Sequence, residues 1–346
     1  QIIHESWVDS SALVGIEIGP SARISAQGQQ QSRMMHRTSR LVARSLPRCS
    51  PCSSSPALRA SACLTLGTGS RNMSTDTTDF GYKNVGVEEK QGMVRDVFSK
   101  VAAKYDVMND VMSFGAHRLW KDELVNMMGF PAAARADPTR VPRHLDVAGG
   151  TGDVAFRSLR QMSQHYGSSF LTSEDLPQAD RQVVVCDINP EMLQVGRERA
   201  AGVVGADNLP MIGFVEGNAE KLPFDDASFD VYTIAFGLRN VTHKDAAIAE
   251  AYRVLRKGGR LLVLEFSHVQ PPLLQQAYDQ FSFHVIPQMG QMVAGDAASY
   301  QYLVESIRRF PKQQELLEML QGGGFRFCSY TNFTFGVVAV HSGFKL

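Results

Sequence analysis

The residues most able to do chemistry lie in one run, His144-Leu-Asp-Val-Ala-Gly-Gly-Thr-Gly-Asp153. Gly149, Gly150 and Gly152 can take positive φ and bring the backbone close to a bound ligand. Two carboxylates, Asp146 and Asp153, flank these glycines. They would repel a pyrophosphate, but they could accept hydrogen bonds from an ammonium, so the run reads as a seat for a cofactor with an amino-acid end. A third acid, Asp187, closes the next apolar run, Arg181-Gln-Val-Val-Val-Cys-Asp187. Gly150-Thr-Gly-Asp-Val-Ala155 also fits the G-x-G-x-x-A of dinucleotide folds. There the ribose-binding acid follows the glycines by about 20 residues. Asp187 follows Gly150 by 37, a gap that a polar insertion partly explains.

These residues need a sheet to hold them. Leu145 and Val147 are strand formers, and the continuous apolar run ending at Asp187 is what a parallel strand buried on both faces looks like. Further strands are predicted over Met211 to Glu216, Phe229 to Ala235 and Arg260 to Phe266. Helices are predicted between them, over about Gly152 to His165, after the Asn189-Pro190 cap, and over Lys244 to Leu255. Lys257-Gly258-Gly259 is the expected stop of the last one. This alternation gives an α/β sheet with right-handed crossovers, which binds ligands outside the carboxyl ends of its strands. Past Pro271 the pattern becomes helical over Leu273 to Met292 and Tyr300 to Arg309, an inserted cap. A helix over Pro311 to Gln321 and strands near Phe325 to Tyr330 and Thr334 to His341 complete the chain. The last two strands are so close that they can pair only antiparallel, unlike a six-stranded dinucleotide fold.

Upstream, Glu88 to Met108 has the apolar spacing of one amphipathic helix and Ala116 to Met128 that of a second. Pro131 to Arg143 reads as a linker and Ser163 to Gln182 as a polar surface loop. Residues 1–17 carry three acids and no base, while residues 18–75 carry eight arginines and no acid. The remainder is therefore mildly acidic, which argues against a broad nucleic-acid-binding face. From Met34 or Met35 the chain is Arg- and Ser-rich, with Arg37, Arg40, Arg44 and Arg48 at helical spacing. That is the composition of a mitochondrial transit peptide, and cleavage is expected before Asp76. Residues 1–75 thus read as a disordered tail and 76–346 as the catalytic domain, with N-terminal helices at 88–129 and a cap at 271–310. No apolar run is long enough to span a bilayer. Cys49-Ser-Pro-Cys52 has no second pair or histidines to complete a metal site, so no metal is expected.

The whole string resembles the class I S-adenosylmethionine-dependent methyltransferases. Leu-Asp-Val-Ala-Gly-Gly-Thr-Gly-Asp (145–153), Gly-Asn-Ala-Glu-Lys-Leu-Pro-Phe (217–224), Phe-Gly-Leu-Arg-Asn-Val (236–241) and Arg-Val-Leu-Arg-Lys-Gly-Gly (253–259) carry the likeness. With Phe98 to Ser113 and Trp120-Lys121, they are similar to the ubiquinone/menaquinone biosynthesis C-methyltransferase family from about Phe80 to the C-terminus. The implied fold is Rossmann-like, a mostly parallel seven-stranded sheet with a C-terminal antiparallel hairpin and a helical cap. Ala148 stands where the general motif has its first glycine, and Asn218 where many relatives have Asp.

The resemblance implies transfer of a methyl from S-adenosylmethionine to the ring carbon of 2-methoxy-6-polyprenyl-1,4-benzoquinol. Asp146, Gly149, Gly150, Thr151 and Gly152 would hold the amino-acid end, Asp187 the ribose, and Asn218 and Ala219 the adenine edge. Arg239 and Asn240, just after the fourth strand, would serve the acceptor. Arg239 could stabilise phenolate charge or orient a water, since arginine is a poor base, or it could only pair with Glu265 or Asp146. Asn240 could instead cap a helix. Tyr105 and His284 are further acid/base candidates, while Phe281, Phe283, Tyr300 and Tyr302 would line a tunnel for the tail. A polyprenyl substrate implies a peripheral protein on the matrix side of the mitochondrial inner membrane, within a ubiquinone-synthesis complex, and leaves a homodimer open. Another quinol such as demethylmenaquinol, or a cofactor-binding scaffold with little turnover, are the alternative readings.

Overall fold

The computed structural model of this 346-residue chain describes residues 77–101, 105–137, 140–167 and 176–346. The transit-like segment and Cys49-x-x-Cys52 lie outside the described residues. By its contacts the chain divides into residues 1–70 and 71–346. All described elements belong to the second unit.

Its elements are strands β1 (Thr77–Phe80) and β2 (Lys83–Gly86), helices α1 (Val87–Val101), α2 (Tyr105–Ser113), α3 (Ala116–Asn126) and α4 (Phe130–Ala136), then β3 (His144–Val147) and α5 (Asp153–Tyr166). They continue with β4 (Val183–Asp187), α6 (Pro190–Val204), β5 (Ile212–Glu216), β6 (Phe229–Ala235), α7 (Lys244–Val254) and β7 (Leu255–Phe266). The cap follows as α8 (Pro272–Gln280), a π turn, α9 (Ile286–Ala294) and α10 (Ala297–Arg309), and the chain closes with α11 (Gln313–Gly322), β8 (Arg326–Phe333) and β9 (Val338–Phe344).

Seven strands form one sheet in the order β5-β4-β3-β6-β7-β9-β8. The first five run parallel, and β9 pairs antiparallel with both β7 and β8. The chain moves outward from β3 to β5, then returns to add β6 on the other side of β3. That reversal opens a crevice at the carboxyl ends of β3, β4 and β6. Both sheet faces are covered. On β7, Leu262 and Leu264 belong to one core cluster with Phe156, Leu159 and Leu124, while Leu261 and Val263 belong to the opposite one with Ile248 and Leu316. A smaller cluster of Met108, Ile286, Tyr300 and Val304 packs beneath the cap. No helix of the described residues is long and apolar enough to cross a membrane.

Three local expectations are corrected and one element is added. The predicted helix from Glu88 to Met108 is two helices: α1 packs on β1, β2 and α6, whereas α2 packs on α3 and α9. A continuous 3.6-residue period does not reveal a change of partner. The predicted linker contains α4, where Pro131 occupies the first turn, a position at which its missing N–H costs nothing, and four alanines favour the helix. Gly258 and Gly259 do not stop α7, which ends at Val254. Gly258, at φ 82°, turns β7 instead, and its N–H donates to Lys345 O at 2.6 Å. The β1–β2 hairpin was not expected from the sequence. It is tied down by Tyr82 N donating to Glu305 Oε2 at 2.9 Å and by a 3.6 Å ion pair between Lys90 and Asp79.

Candidate active site

The glycine turn between β3 and α5 is shaped differently from its sequence reading. Gly150 and Gly152 take φ of 54° and 83°, but Gly149 does not; Ala148 does, at 50°. Gly149 is required for space, because a Cβ there would stand 2.8 Å from Val185 Cγ1 and 2.9 Å from Asp146 Oδ2. The turn forms the floor of a cleft also bordered by Asp187, Asn218, Ala219 and Asn240 and, from α1, by Val94, Arg95 and Phe98.

The acids of the cleft have distinct environments. Asp187 is fixed by the N–H groups of Gly150 and Asn189, both at 2.8 Å, and burial lifts its carboxyl to about 6 against those bonds. Asn189 caps α6, accepting from Met192 N at 3.0 Å. Asp146 is 1% exposed. Its Oδ1 accepts from Thr233 Oγ1 at 2.6 Å, its Oδ2 is buried without a hydrogen-bond partner, and burial raises it to about 7. Because the Thr233 proton goes to Asp146, His144 Nε2 donates to Thr233 Oγ1, at 2.8 Å. Burial holds His144 neutral, near 3. Asp153 is already partnered, by Lys121 at 2.8 Å and Arg157 at 3.2 Å. Burial alone would raise its carboxyl, but the two cations hold it below its usual value. Asp153 is therefore already paired with two cations, whereas Asp146 Oδ2 has no hydrogen-bond partner. Thr151 is buried in the same wall. Asn218 Oδ1 closes a turn by accepting from Glu220 N at 2.9 Å and keeps its second lone pair.

A second cavity lies under the cap and is bounded mainly by apolar side chains, among them Met108, Met112, Ile286, Leu303 and Ile307. The two cavities share three lining residues, Phe98, Lys121 and Phe236. Arg239 borders the apolar cavity alone. It pairs with Glu265 through Nη1 to Oε1 at 2.9 Å, also donates from Nη1 to Phe236 O, and leaves its buried Nε without a partner. Of the two acids open to it from the sequence, Glu265 is therefore the one it meets. Asn240 borders the cofactor cleft and caps no helix. Its Oδ1 accepts from the hydroxyl of Tyr302, which lines the apolar cavity, at 2.9 Å.

Of the tunnel aromatics, Phe281, Tyr300 and Tyr302 line the apolar cavity. Phe283 does not; it stacks with Tyr82 and lies under Arg308. His284 is exposed on the π turn and lines neither cavity. Tyr105 opens α2, and its side chain lies outside the described residues. Sequence reasoning assigned no chemical role to Lys121, which borders both cavities, or to His117, which borders the apolar one. Their spacing of four on α3 and the apolar Trp120 and Leu124 beside them were the available signal.

A parallel sheet reversing at β3, an acid ending β4 and a terminal antiparallel hairpin define a class I S-adenosylmethionine-dependent methyltransferase. The sequence profile of the ubiE/COQ5 methyltransferase family matches residues 84–345, and the chain belongs to that family. It is 53% identical over 269 residues to the ubiquinone/menaquinone biosynthesis C-methyltransferase UbiE of Brucella anthropi, covering 77% of this chain and 92% of that protein. It is 52% identical over 271 residues to the mitochondrial 2-methoxy-6-polyprenyl-1,4-benzoquinol methylase of Oryza sativa subsp. japonica, covering 78% and 88%. A solved SAM-dependent methyltransferase of Thermotoga maritima is 17% identical, with 72% of this chain and 99% of that one covered and a TM-score of 0.45.

Proposed function

We propose that this methyltransferase adds a methyl to a ring carbon of 2-methoxy-6-polyprenyl-1,4-benzoquinol in ubiquinone synthesis. The observation that carries this reading is the meeting, at Phe98, Lys121 and Phe236, of a cleft lined by carboxylates and amides with a cavity bounded mainly by apolar side chains. A methyl donor with charged ends and a greasy acceptor need two such chambers with one point of contact. The residues of the cleft fit S-adenosylmethionine, whose sulfonium supplies the electrophilic methyl. Asp146 Oδ2 would accept from its ammonium, Asp187 from its ribose hydroxyls, and Asn218 and Ala219 would border its adenine, while Gly149, Gly150, Thr151 and Gly152 bring backbone close to its amino-acid end.

On the acceptor side the chain must position the ring, favour a phenolate-like state and exclude water. Arg239, held by Glu265, places a fixed positive charge at the cavity wall for that developing negative charge. Asn240 and Tyr302 span the two chambers and would align the ring, and Tyr105 would act on the acceptor from α2. The apolar lining would receive the prenyl tail. In keeping with the transit-like composition of its N-terminal segment and its mitochondrial relative, the protein would work in the mitochondrial matrix, peripherally on the inner membrane, within an assembly of ubiquinone-synthesis enzymes.

The test is transfer of labelled methyl from S-adenosylmethionine by the full chain to a short-tail 2-methoxy-6-prenyl-benzoquinol kept reduced. Carbon-bound label is expected, and Asp187→Ala should abolish both cofactor binding and transfer while circular dichroism stays unchanged. Cofactor binding with no labelled quinol would overturn the proposal.

A further inference from the structure

Helix α3 turns His117, Trp120 and Lys121 to one side, and all three border the apolar cavity. His117 is 6% exposed. Its Nε2 is 2.8 Å from Asp110 Oδ1 on α2. Asp110 is in turn gripped by Arg118, Nε to Oδ1 at 2.7 Å and Nη2 to Oδ2 at 2.6 Å. Those bonds, Arg118 first and His117 second, hold the Asp110 carboxyl well below the usual carboxylate range, so it is ionised and can only accept. The proton of the neutral imidazole therefore sits on Nε2, and Nδ1 carries the lone pair. That Nδ1 is buried and has no hydrogen-bond partner. An imidazole fixed in one tautomer by a carboxylate, its side chain bordering the cavity and its other nitrogen unpaired but closed off until an acceptor enters, has the arrangement of a general base and its orienter.

We propose that His117 is the base that takes the hydroxyl proton of the quinol as its ring carbon is methylated, with Asp110 as its positioning residue. This rests on the quinol C-methylation proposed above. The O–H bond breaks toward Nδ1, and the freed electron pair pushes through the ring. The ring carbon bonds to the methyl, and the methyl–sulfur bond breaks with its pair left on sulfur. The ring carbon then loses its hydrogen to water as a proton, and His117 returns the first proton to the oxygen. One proton leaves per methyl, which balances the sulfonium charge that is lost. Arg239 and Lys121 supply the positive charge that a transient phenolate needs, while the always-protonated arginine cannot take the proton itself.

The charged groups around His117 are Asp110 from α2, Arg118 and Lys121 on its own helix and Asp153 from α5, with Arg239 across the cavity. Burial lowers the imidazole below its usual value, with Lys121 adding to this and Asp110 and Asp153 opposing it. His117 is thus neutral and able to accept a proton at neutral pH.

The experiment measures kcat and KM from pH 5 to 9 for the full chain and for His117→Gln. It uses labelled S-adenosylmethionine and reduced short-tail 2-methoxy-6-prenyl-benzoquinol. The expected wild-type profile has an acid limb with its midpoint below about 6.5. In His117→Gln, kcat at saturating S-adenosylmethionine should fall about 100-fold or more and lose its acid limb, the ionisation of Asp187 and Asp146 showing only in KM for the cofactor, while the dissociation constant for S-adenosylmethionine at neutral pH stays unchanged. Asp110→Asn should move the limb to lower pH, because the carboxylate that raises His117 is gone. Imidazole in the buffer should restore part of kcat to His117→Ala. A His117→Gln enzyme within threefold of wild-type kcat with its limb intact would overturn the assignment. Should that variant fail to fold, an unmoved limb in Asp110→Asn would do the same. Absence of transfer by the wild type counts instead against the quinol reading itself.

Discussion

Tyr302 on α10 donates its hydroxyl to Asn240 Oδ1 at 2.9 Å, and that bond joins the cap to the turn after β6. Burial pushes the phenol above its usual value, so the hydroxyl stays protonated and remains a donor. Its ring stacks on Phe80 of the N-terminal hairpin, with centroids 4.1 Å apart. One side chain thus links the hairpin, the cap and the cofactor cleft.

Tyr302→Phe removes the hydroxyl and keeps the stack. The ring still packs, so stability should fall by only about 1 kcal/mol, while Asn240 loses the bond that orients it between the chambers. The expected result is an unchanged dissociation constant for S-adenosylmethionine, read by calorimetry, with kcat/KM for the quinol down by about 10-fold, a loss of about 1.4 kcal/mol. Equal losses in both would mean that the hydroxyl serves the cofactor cleft.

Asp146 gives a pH signature. Its folded value of about 7 lies above its usual 3.8, so the folded chain holds a proton that the unfolded chain has lost between those values. Ionising the buried carboxyl therefore destabilises the ligand-free chain fully above about pH 7, and the effect fades as pH falls toward 4. By linkage the penalty is on the order of 4 kcal/mol. Asp146→Asn should raise the melting temperature of the ligand-free chain at pH 8 and have little effect near pH 4. With saturating S-adenosylmethionine at pH 8 the order should reverse, because the ammonium then compensates the wild-type carboxylate. Thermal unfolding at two pH values, with and without ligand, reads all of this, and a pH-independent difference would refute it.

The Arg239–Glu265 pair separates structure from chemistry. Both side chains are at least 94% buried, so removing one strands the other. Glu265→Leu should cost about 3 to 5 kcal/mol in urea unfolding. In the double variant Arg239→Met, Glu265→Leu no charge is stranded, and most of that stability should return. Methyl transfer should stay lost, because the charge facing the acceptor is gone. Recovery of activity along with stability would make the pair structural only.

The parallel strands could be read from the sequence because each is buried on both faces and shows as an apolar run, as in Val183 to Asp187. The place of the glycine turn and the Asn189 cap were legible for a similar reason, their causes lying within a few residues, but the need for glycine at 149 comes from Val185 on the next strand and was not. What was missed depends on distance in sequence. Thr77–Phe80 has no apolar alternation, and its hairpin is held by Glu305, more than 200 residues away. His117 reads as an ordinary helix residue until α2 and α3 bring Asp110 against it. The apolar cavity combines α2, α3, the turn after β6 and the cap, so sequence reasoning placed Phe281, Tyr300, Tyr302 and Arg239 near an acceptor but missed Phe98, Trp120, Phe236, Phe266 and Tyr278 and the polar His117 and Lys121, which only the fold brings to it.

Ala148 and Gly237, one turn after β3 and one after β6, compete for the same methyl-sized volume. A Cβ on Gly237 would fall on the Cβ of Ala148, while Gly237 itself has φ −112° and ψ −32°, which any residue can adopt. Glycine at 237 is therefore dictated by its neighbour rather than by its own backbone. Ala148, at φ 50°, carries a left-handed conformation worth about 1 to 2 kcal/mol, a strain that glycine would relieve. The two positions form one compensating unit: a side chain at 237 needs glycine at 148, and even then its Cβ would stand 3.3 Å from Ile234 Cγ1.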